Sequence, residues 1–178
     1  MTKRAFPPIQ SERVRLRLLE ESDLPLTLAW RNQDHVRRWF FNPELITAEQ
    51  HRAWFGTYVQ RDDDYVFIIE QVQPALRAVG QVALYRIEWQ AGRAELGRLM
   101  IGESQAAGKG LAREAMRLLV HEALGGLGLH EVYLEVYDDN LPALAIYAAC
   151  GFRTTARRGK VLTMIKRNDE ACAASVES

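Results

Sequence analysis

Val14, Leu16 and Leu18 alternate with Arg15 and Arg17, the two-residue period of a half-buried strand. The same period returns where Val132, Leu134 and Val136 alternate with Glu131, Tyr133 and Glu135. Between them, Leu111, Ala115, Leu118 and Leu119 recur at helical spacing opposite Arg113, Arg117 and His121. That pattern predicts an amphipathic helix ending near Leu124, before the glycines of 125–128. Tyr65 to Ile69 reads as a strand. Val79 to Trp89 and Ala94 to Ile101, joined across Gly92, read as a hairpin. Upstream, Ser22 is placed to cap a helix running to about Trp30. Thr47 and Gln50 have capping-box spacing for a second, with an apolar stripe of Trp54, Phe55, Tyr58 and Val59. Asn140 to Ala149 reads as a short helix closed by Gly151, followed by strands near Phe152 to Ala156 and Val161 to Lys166. The order predicts an α/β domain with a mixed sheet of about seven strands and about four helices.

At 178 residues the chain suits one domain with a real core, expected over residues 1–167. The small polar stretch 168–178 is expected to fray. The 23 basic and 23 acidic residues balance, which argues against a nucleic-acid or anionic-membrane partner. No apolar run is long enough to span a bilayer, and MTKRAFPPIQ has no apolar core of a secretory signal. A cytoplasmic monomer or homodimer is the expectation. Cys150 and Cys172 match no metal or disulfide spacing, so no metal is expected.

Residues 103–116 read ESQAAGKGLAREAM. Gly110 follows Lys109 where a P-loop needs Ser or Thr, and Arg113 stands where a dinucleotide fingerprint needs its third glycine. What remains is Gln105-x-x-Gly108-x-Gly110, after a strand and before a helix. Free N–H groups at a helix start suit a pyrophosphate, although a glycine turn without ligand fits the same residues.

This segment resembles the acetyl-CoA-binding motif Gln/Arg-x-x-Gly-x-Gly/Ala of the GNAT N-acetyltransferases. LEVYDDNLPALAIYAACGF resembles the family's second signature, with Asn140, Tyr147, Gly151 and Phe152 in place. The resemblance implies a GNAT fold and transfer of the acetyl group of acetyl-CoA to a primary amine. It implies that the backbone of Leu99, Met100 and Ile101 pairs with the pantetheine arm. It places the pyrophosphate on Gln105, Ala107, Gly108, Lys109, Gly110, Leu111 and Ala112. It sets Asn140 against the pantetheine and makes Tyr147 the general acid for the leaving thiolate. Asn140 and Tyr147 share a helix face roughly 10 Å apart, which suits both roles. Amine deprotonation needs a base. Glu95, expected on one face with Gly97 and Leu99, is the acid best placed for it, while a solvated charge by the hairpin turn is the other reading. Glu135, in the next strand, is a weaker candidate for the base and reads rather as a surface carboxylate.

The resemblance also implies that the two N-terminal helices build the acceptor pocket. Trp-Arg-Asn, then Val-x-x-Trp-Phe, then Ile-Thr-x-x-x-His-x-x-Trp looks like the acceptor segment of enzymes that acetylate nucleotide-linked amino sugars. Arg31, with Arg37 and Arg38, suits a diphosphate. Trp39 or Trp54 could stack on a ring, and His51 faces inward on the stripe of Trp54. Ala83 and Leu84 are apolar where a sugar site could use polar groups. Ribosomal-protein N-terminal, polyamine and aminoglycoside acetyltransferases begin similarly and are the alternatives, although a polyamine favours a carboxylate-rich pocket. A module that holds acyl-CoA without turnover is the reading from another class.

Overall fold

Every predicted strand has a counterpart within a residue or two of its expected ends. The structure, a computed structural model, describes residues 3–168. In chain order the elements are β1 (Ile9–Gln10), β2 (Val14–Leu18), α1 (Leu24–Arg31), α2 (Asp34–Arg37), α3 (Ala48–Tyr58), β3 (Asp64–Gln71), β4 (Arg77–Glu88) and β5 (Arg93–Ile101). They continue with α4 (Leu111–His121), β6 (Glu131–Tyr137), α5 (Leu141–Ala149), β7 (Arg153–Arg158) and β8 (Val161–Arg167). The two elements beyond the expected set, β1 and α2, span two and four residues, too short to show a period in sequence. Asn168 is still held, its N–H donating to His130 O at 2.9 Å. The rest of the expected tail, with Cys172, lies outside the described residues.

The caps follow local chemistry. Thr47 and Gln50 bond each other's backbone N–H at 3.1 and 2.8 Å, as their spacing predicts. Ser22 does not cap the first helix. Asp23 stands at the N-cap position without a side-chain bond to the helix: its carboxylate accepts the Glu20 N–H at 2.9 Å, closing the short turn before α1, and is held by Arg17 at 2.7 and 2.8 Å.

The sheet runs β1-β2-β3-β4-β5-β6-β8-β7, antiparallel throughout except between β5 and β6. That parallel ladder holds only Arg93↔Glu131, Ala94↔Val132 and Glu95↔Tyr133, after which the strands part. A bulge bends β5 just past that point. Gly97 opposes Ala83 but Met100 opposes Gln81, so Arg98 and Leu99 together face one residue of β4. Arg98 adopts φ 51°, a left-handed conformation that costs a side-chain-bearing residue roughly 1–2 kcal/mol. Its guanidinium is held by the buried Asp64 carboxylate at 2.8 and 3.1 Å and lies over the Tyr85 ring at 4.2 Å. The bulge also overturns the expected alternation of Glu95, Gly97 and Leu99. Met100 joins Trp30 and Val36 on the α1 side, while Leu99 packs toward the opposite core.

Helix α4 covers one face of the sheet, burying Leu111, Ala115 and Leu119 on Phe67, Leu84, Leu96 and Leu134. Helices α1 and α3 cover the other, with Tyr58 over Val66, Ile68 and Ala83. No helix of the described residues is long and apolar enough to cross a membrane.

Candidate active site

A cleft of about 370 Å³ occupies the opening between β5 and β6. Gly97 to Ile101 form one wall and Glu135 to Tyr137 the other, with Asn140, Ala143 and Tyr147 of α5 behind. Residues Ala107, Gly108 and Ala112 close one end. Because the β5–β6 ladder stops at Glu95 and Tyr133, the edge of β5 along this wall is not paired with β6.

Gly108 and Gly110 both have positive φ, 72° and 77°. A Cβ on Gly108 would meet nothing within 4 Å, and one on Gly110 only the tip of Arg113 at 4.0 Å. Glycine is thus required by backbone conformation, and the space beside it is open. The first intrahelical donor of α4 is Glu114, to Gly110 O at 3.1 Å. The N–H groups from Gly108 to Arg113 have no backbone partner among the described residues, and no side chain caps the helix. With the positive end of the helix dipole, these donors fit a pyrophosphate. Arg13 anchors the loop from behind: its guanidinium donates to Lys109 O and pairs with Glu114 at 3.3 Å, while Ser11 Oγ donates to the same carboxylate. Sequence reading missed Arg13, which is 96 residues from its partner.

Of the residues expected at the coenzyme, Leu99, Met100, Ile101, Ala107, Gly108, Ala112 and Asn140 line the cleft. Gln105, Lys109, Gly110 and Leu111 do not. Gln105 and Lys109 point to solvent and Leu111 is in the core, which leaves Gly110 and Leu111 their backbone N–H groups. Asn140 also caps α5, accepting the Ala143 N–H at 3.4 Å.

Tyr147 lines the cleft at 7% exposure, edge-on to Phe152 at 6.2 Å. Burial, and secondarily the nearby Cys150, push its phenol up to about 12, so it keeps its proton at neutral pH. The carboxylates are placed otherwise than expected. Glu95 is 3% exposed and does not line the cleft; it accepts from Tyr85 Oη and Arg86 Nη1, each at 2.7 Å. Glu135 does line it. Its position along β6 lies past the last pair with β5, so its surface-like alternation faces the opening instead of bulk solvent.

The expected acceptor residues Arg31, His51 and Trp54 do not line the cleft. His51 Nε2 lies 3.0 Å from Thr27 Oγ1, and its ring stacks on Trp54 at 5.3 Å, which stacks in turn on Tyr58 at 5.1 Å. Burial pushes the His51 imidazole down. Arg31, 8% exposed, lies over Phe40 at 4.2 Å and donates to Asn42 O. It has no carboxylate partner among the described residues, and its Nη1 is buried without a hydrogen bond. Burial, then the charge of Arg37, pull its guanidinium down. From this N-terminal segment the residues that do line the cleft are His35, Val36, Trp39, Phe40 and Phe41, and Phe41 reaches Tyr137 across the opening at 5.2 Å.

Comparison with known proteins agrees with this architecture. Residues 13–153 match the family described as Acetyltransferase (GNAT) domain. The spermidine N(1)-acetyltransferase of Vibrio cholerae is 27% identical over 137 residues, 77% of this chain and 77% of that protein. Its counterpart in Escherichia coli K12 is 29% identical over 139 residues, 78% and 72% of the two chains. The crystal structure of the Vibrio cholerae spermidine N-acetyltransferase with CoA and spermine superposes with a TM-score of 0.79 at 23% identity, covering 88% of this chain and 96% of that one. With the family matched across most of the chain, the chain belongs to the GNAT acetyltransferases and is an acetyl-CoA-dependent N-acetyltransferase.

Proposed function

We propose that this enzyme acetylates a small primary alkyl amine by direct attack in a ternary complex, with polyamines as the leading acceptor class. The observation that carries the reading is the opening in the sheet. It gathers bare N–H groups, an unpaired strand edge, a protonated phenol and one free-standing carboxylate around a single cleft.

Acetyl-CoA supplies the thioester carbonyl and the thiolate leaving group. The N–H groups from Gly108 to Ala112 hold the pyrophosphate by backbone geometry, with little demand on the Lys109 side chain. The β5 edge along Leu99, Met100 and Ile101 orients the pantetheine arm, and Asn140 supports it from α5. A strand-edge N–H facing the thioester carbonyl can stabilise charge on its oxygen. Glu135 takes the proton of the incoming ammonium, directly or through water, because it is the carboxylate on the cleft wall. Glu95 orients Tyr85 and Arg86 instead. Tyr147 returns a proton to the leaving sulfur.

The names of the similar enzymes favour a polyamine over a nucleotide-linked amino sugar. The sugar reading leaned on Arg31, His51 and Trp54, and His51 and Trp54 are occupied with Thr27, Tyr58 and each other. Arg31 keeps a second reading open. A buried guanidinium without a counter-charge suits an acceptor bearing an anionic group, presented once Phe40 moves aside. Thiol release with spermidine, spermine, a UDP-linked amino sugar, an aminoglycoside and a peptide N-terminus separates these. The expected outcome is turnover of a polyamine in the wild type and its loss in Glu135→Gln, with Glu95→Gln affected less. Turnover confined to the UDP-linked amine would reverse the order of the two readings.

A further inference from the structure

Gly102 stands between the end of β5 and the turn Ser104–Ala106 that opens the glycine loop. A Cβ there would lie 1.9 Å from Cγ of Trp30, 2.1 Å from Cδ1 and 2.5 Å from Cδ2. Gly102 is not among the positive-φ glycines, so here glycine serves close approach alone. Trp30 is 1% exposed, and its Nε1 donates to Glu103 Oε1 at 2.8 Å. One turn on, Gln33 Nε2 donates to Gly102 O at 3.1 Å. The N–H groups of Gly102 and Glu103 both go to Val79 O, at 2.9 and 3.2 Å. The root of the loop is therefore gripped on one side by β4 and on the other by the end of α1.

We infer that Trp30 is a positioning residue for the coenzyme: its indole and its bond to Glu103 set where the N–H groups of Gly108 to Ala112 point. Trp30 does not line the cleft, so the chemistry above gives it no part. It packs on Val36 and Met100, which do line it, and so joins the acceptor wall to the coenzyme loop. The inference rests on the reading of that loop as the pyrophosphate site.

The sign of the charge effect makes this testable. Removing a carboxylate near a polyanionic coenzyme strengthens binding by electrostatics alone. A positioning bond predicts the opposite for Glu103→Ala, and no loss for Glu103→Gln, whose amide oxygen still accepts the indole N–H. Calorimetric titration of the full chain with CoA is expected to show about tenfold weaker binding in Glu103→Ala, the loss of one hydrogen bond to a charged acceptor. Glu103→Gln is expected to bind as tightly as wild type or more so. A second pair of variants probes the contact itself: Gly102→Ala should abolish CoA binding, and Gly102→Ala with Trp30→Leu should recover it in part. The inference is overturned if Glu103→Ala binds CoA like wild type while only its melting temperature falls. It is equally overturned if Gln and Ala lose affinity alike, or if the double variant recovers nothing. Failure of the wild type to bind CoA would instead remove the pyrophosphate reading itself.

Discussion

Two stretches of this chain meet at the cleft by opposite means. Residues 108–113 offer backbone N–H groups that nothing in the described protein takes up, held open by two left-handed glycines. Residues 31–54 offer large side chains that have largely found one another: His51 with Thr27 and Trp54, Trp54 with Tyr58, Arg31 with Phe40. The coenzyme end is thus preformed and presents the same atoms whatever side chains flank it. In the proposed function the acceptor end is a packed wall that faces the cleft through Val36, Trp39, Phe40 and Phe41. In the proposed function, backbone geometry holds the coenzyme, whereas side-chain packing shapes the wall that meets the acceptor.

The comparison is broken most sharply at the shared centre. Tyr147→Phe keeps the ring that packs on Phe152 but removes the proton. Turnover at saturating substrates should fall by about a hundredfold, with CoA affinity unchanged. Rapid-quench kinetics on the identified acceptor measures it. An unchanged chemical step would transfer the general-acid role away from this phenol.

On the coenzyme side, the test is whether backbone or charge holds the phosphates. A side chain at Gly108 or Gly110 must adopt φ 72° or 77°. That costs roughly 1–2 kcal/mol, or about tenfold in affinity if the loop moves to relieve it. Gly108→Val and Gly110→Val should therefore weaken CoA binding by about tenfold or more. Lys109→Ala should change it by only about twofold, since the side chain lies in solvent where screening is strong. Equal losses from all three would show that charge does the holding.

On the acceptor side, Arg31 is the exception to the paired wall. Its partners are Phe40 and Asn42 O but no counter-charge, and leaving a donor such as Nη1 buried without a hydrogen bond costs roughly 1–3 kcal/mol. Arg31→Met should raise the melting temperature by several degrees, at about 2–4 °C per kcal/mol for a chain of this size. If the acceptor carries an anion, the same variant should raise the acceptor KM while leaving that for acetyl-CoA alone. A gain in stability with no change in KM would assign Arg31 to the fold alone.

The two halves were unequally legible in sequence for the same reason. A backbone that must bend left-handed is written as glycine, so Gly108 and Gly110 pointed to their own turn before α4. Alternation placed β6 correctly, yet it could not show that Glu135 faces an opening, because that depends on where the β5–β6 ladder stops. The bulge at Arg98 has no residue signature: its strain is offset by Asp64, which lies in another strand. For the same reason the period-two reading put Leu99 on the wrong face. Arg13, Trp30 and Arg31 act through partners distant in sequence or through packing, and residue type alone says nothing of either.

The smallest expected effect concerns His51, which does not line the cleft, and it asks whether the packing around it is settled structure or a site in waiting. Burial holds its imidazole below the ordinary value, with Thr27 as its polar partner. A base depressed in the folded state is neutral in both states above the unfolded value of about 6.5, and its contribution is complete there. As pH falls through that value the unfolded chain takes up the proton first, so stability drops until the folded value is passed. The melting temperature should therefore fall between pH 7.5 and 5.5 more steeply in the wild type than in His51→Gln, which can keep a bond to Thr27 without titrating. The other ionisable groups are common to both proteins, so the difference between the two curves isolates this one side chain. Parallel curves would mean that His51 is free to take up a proton in the folded protein, as a residue waiting for a ligand would be.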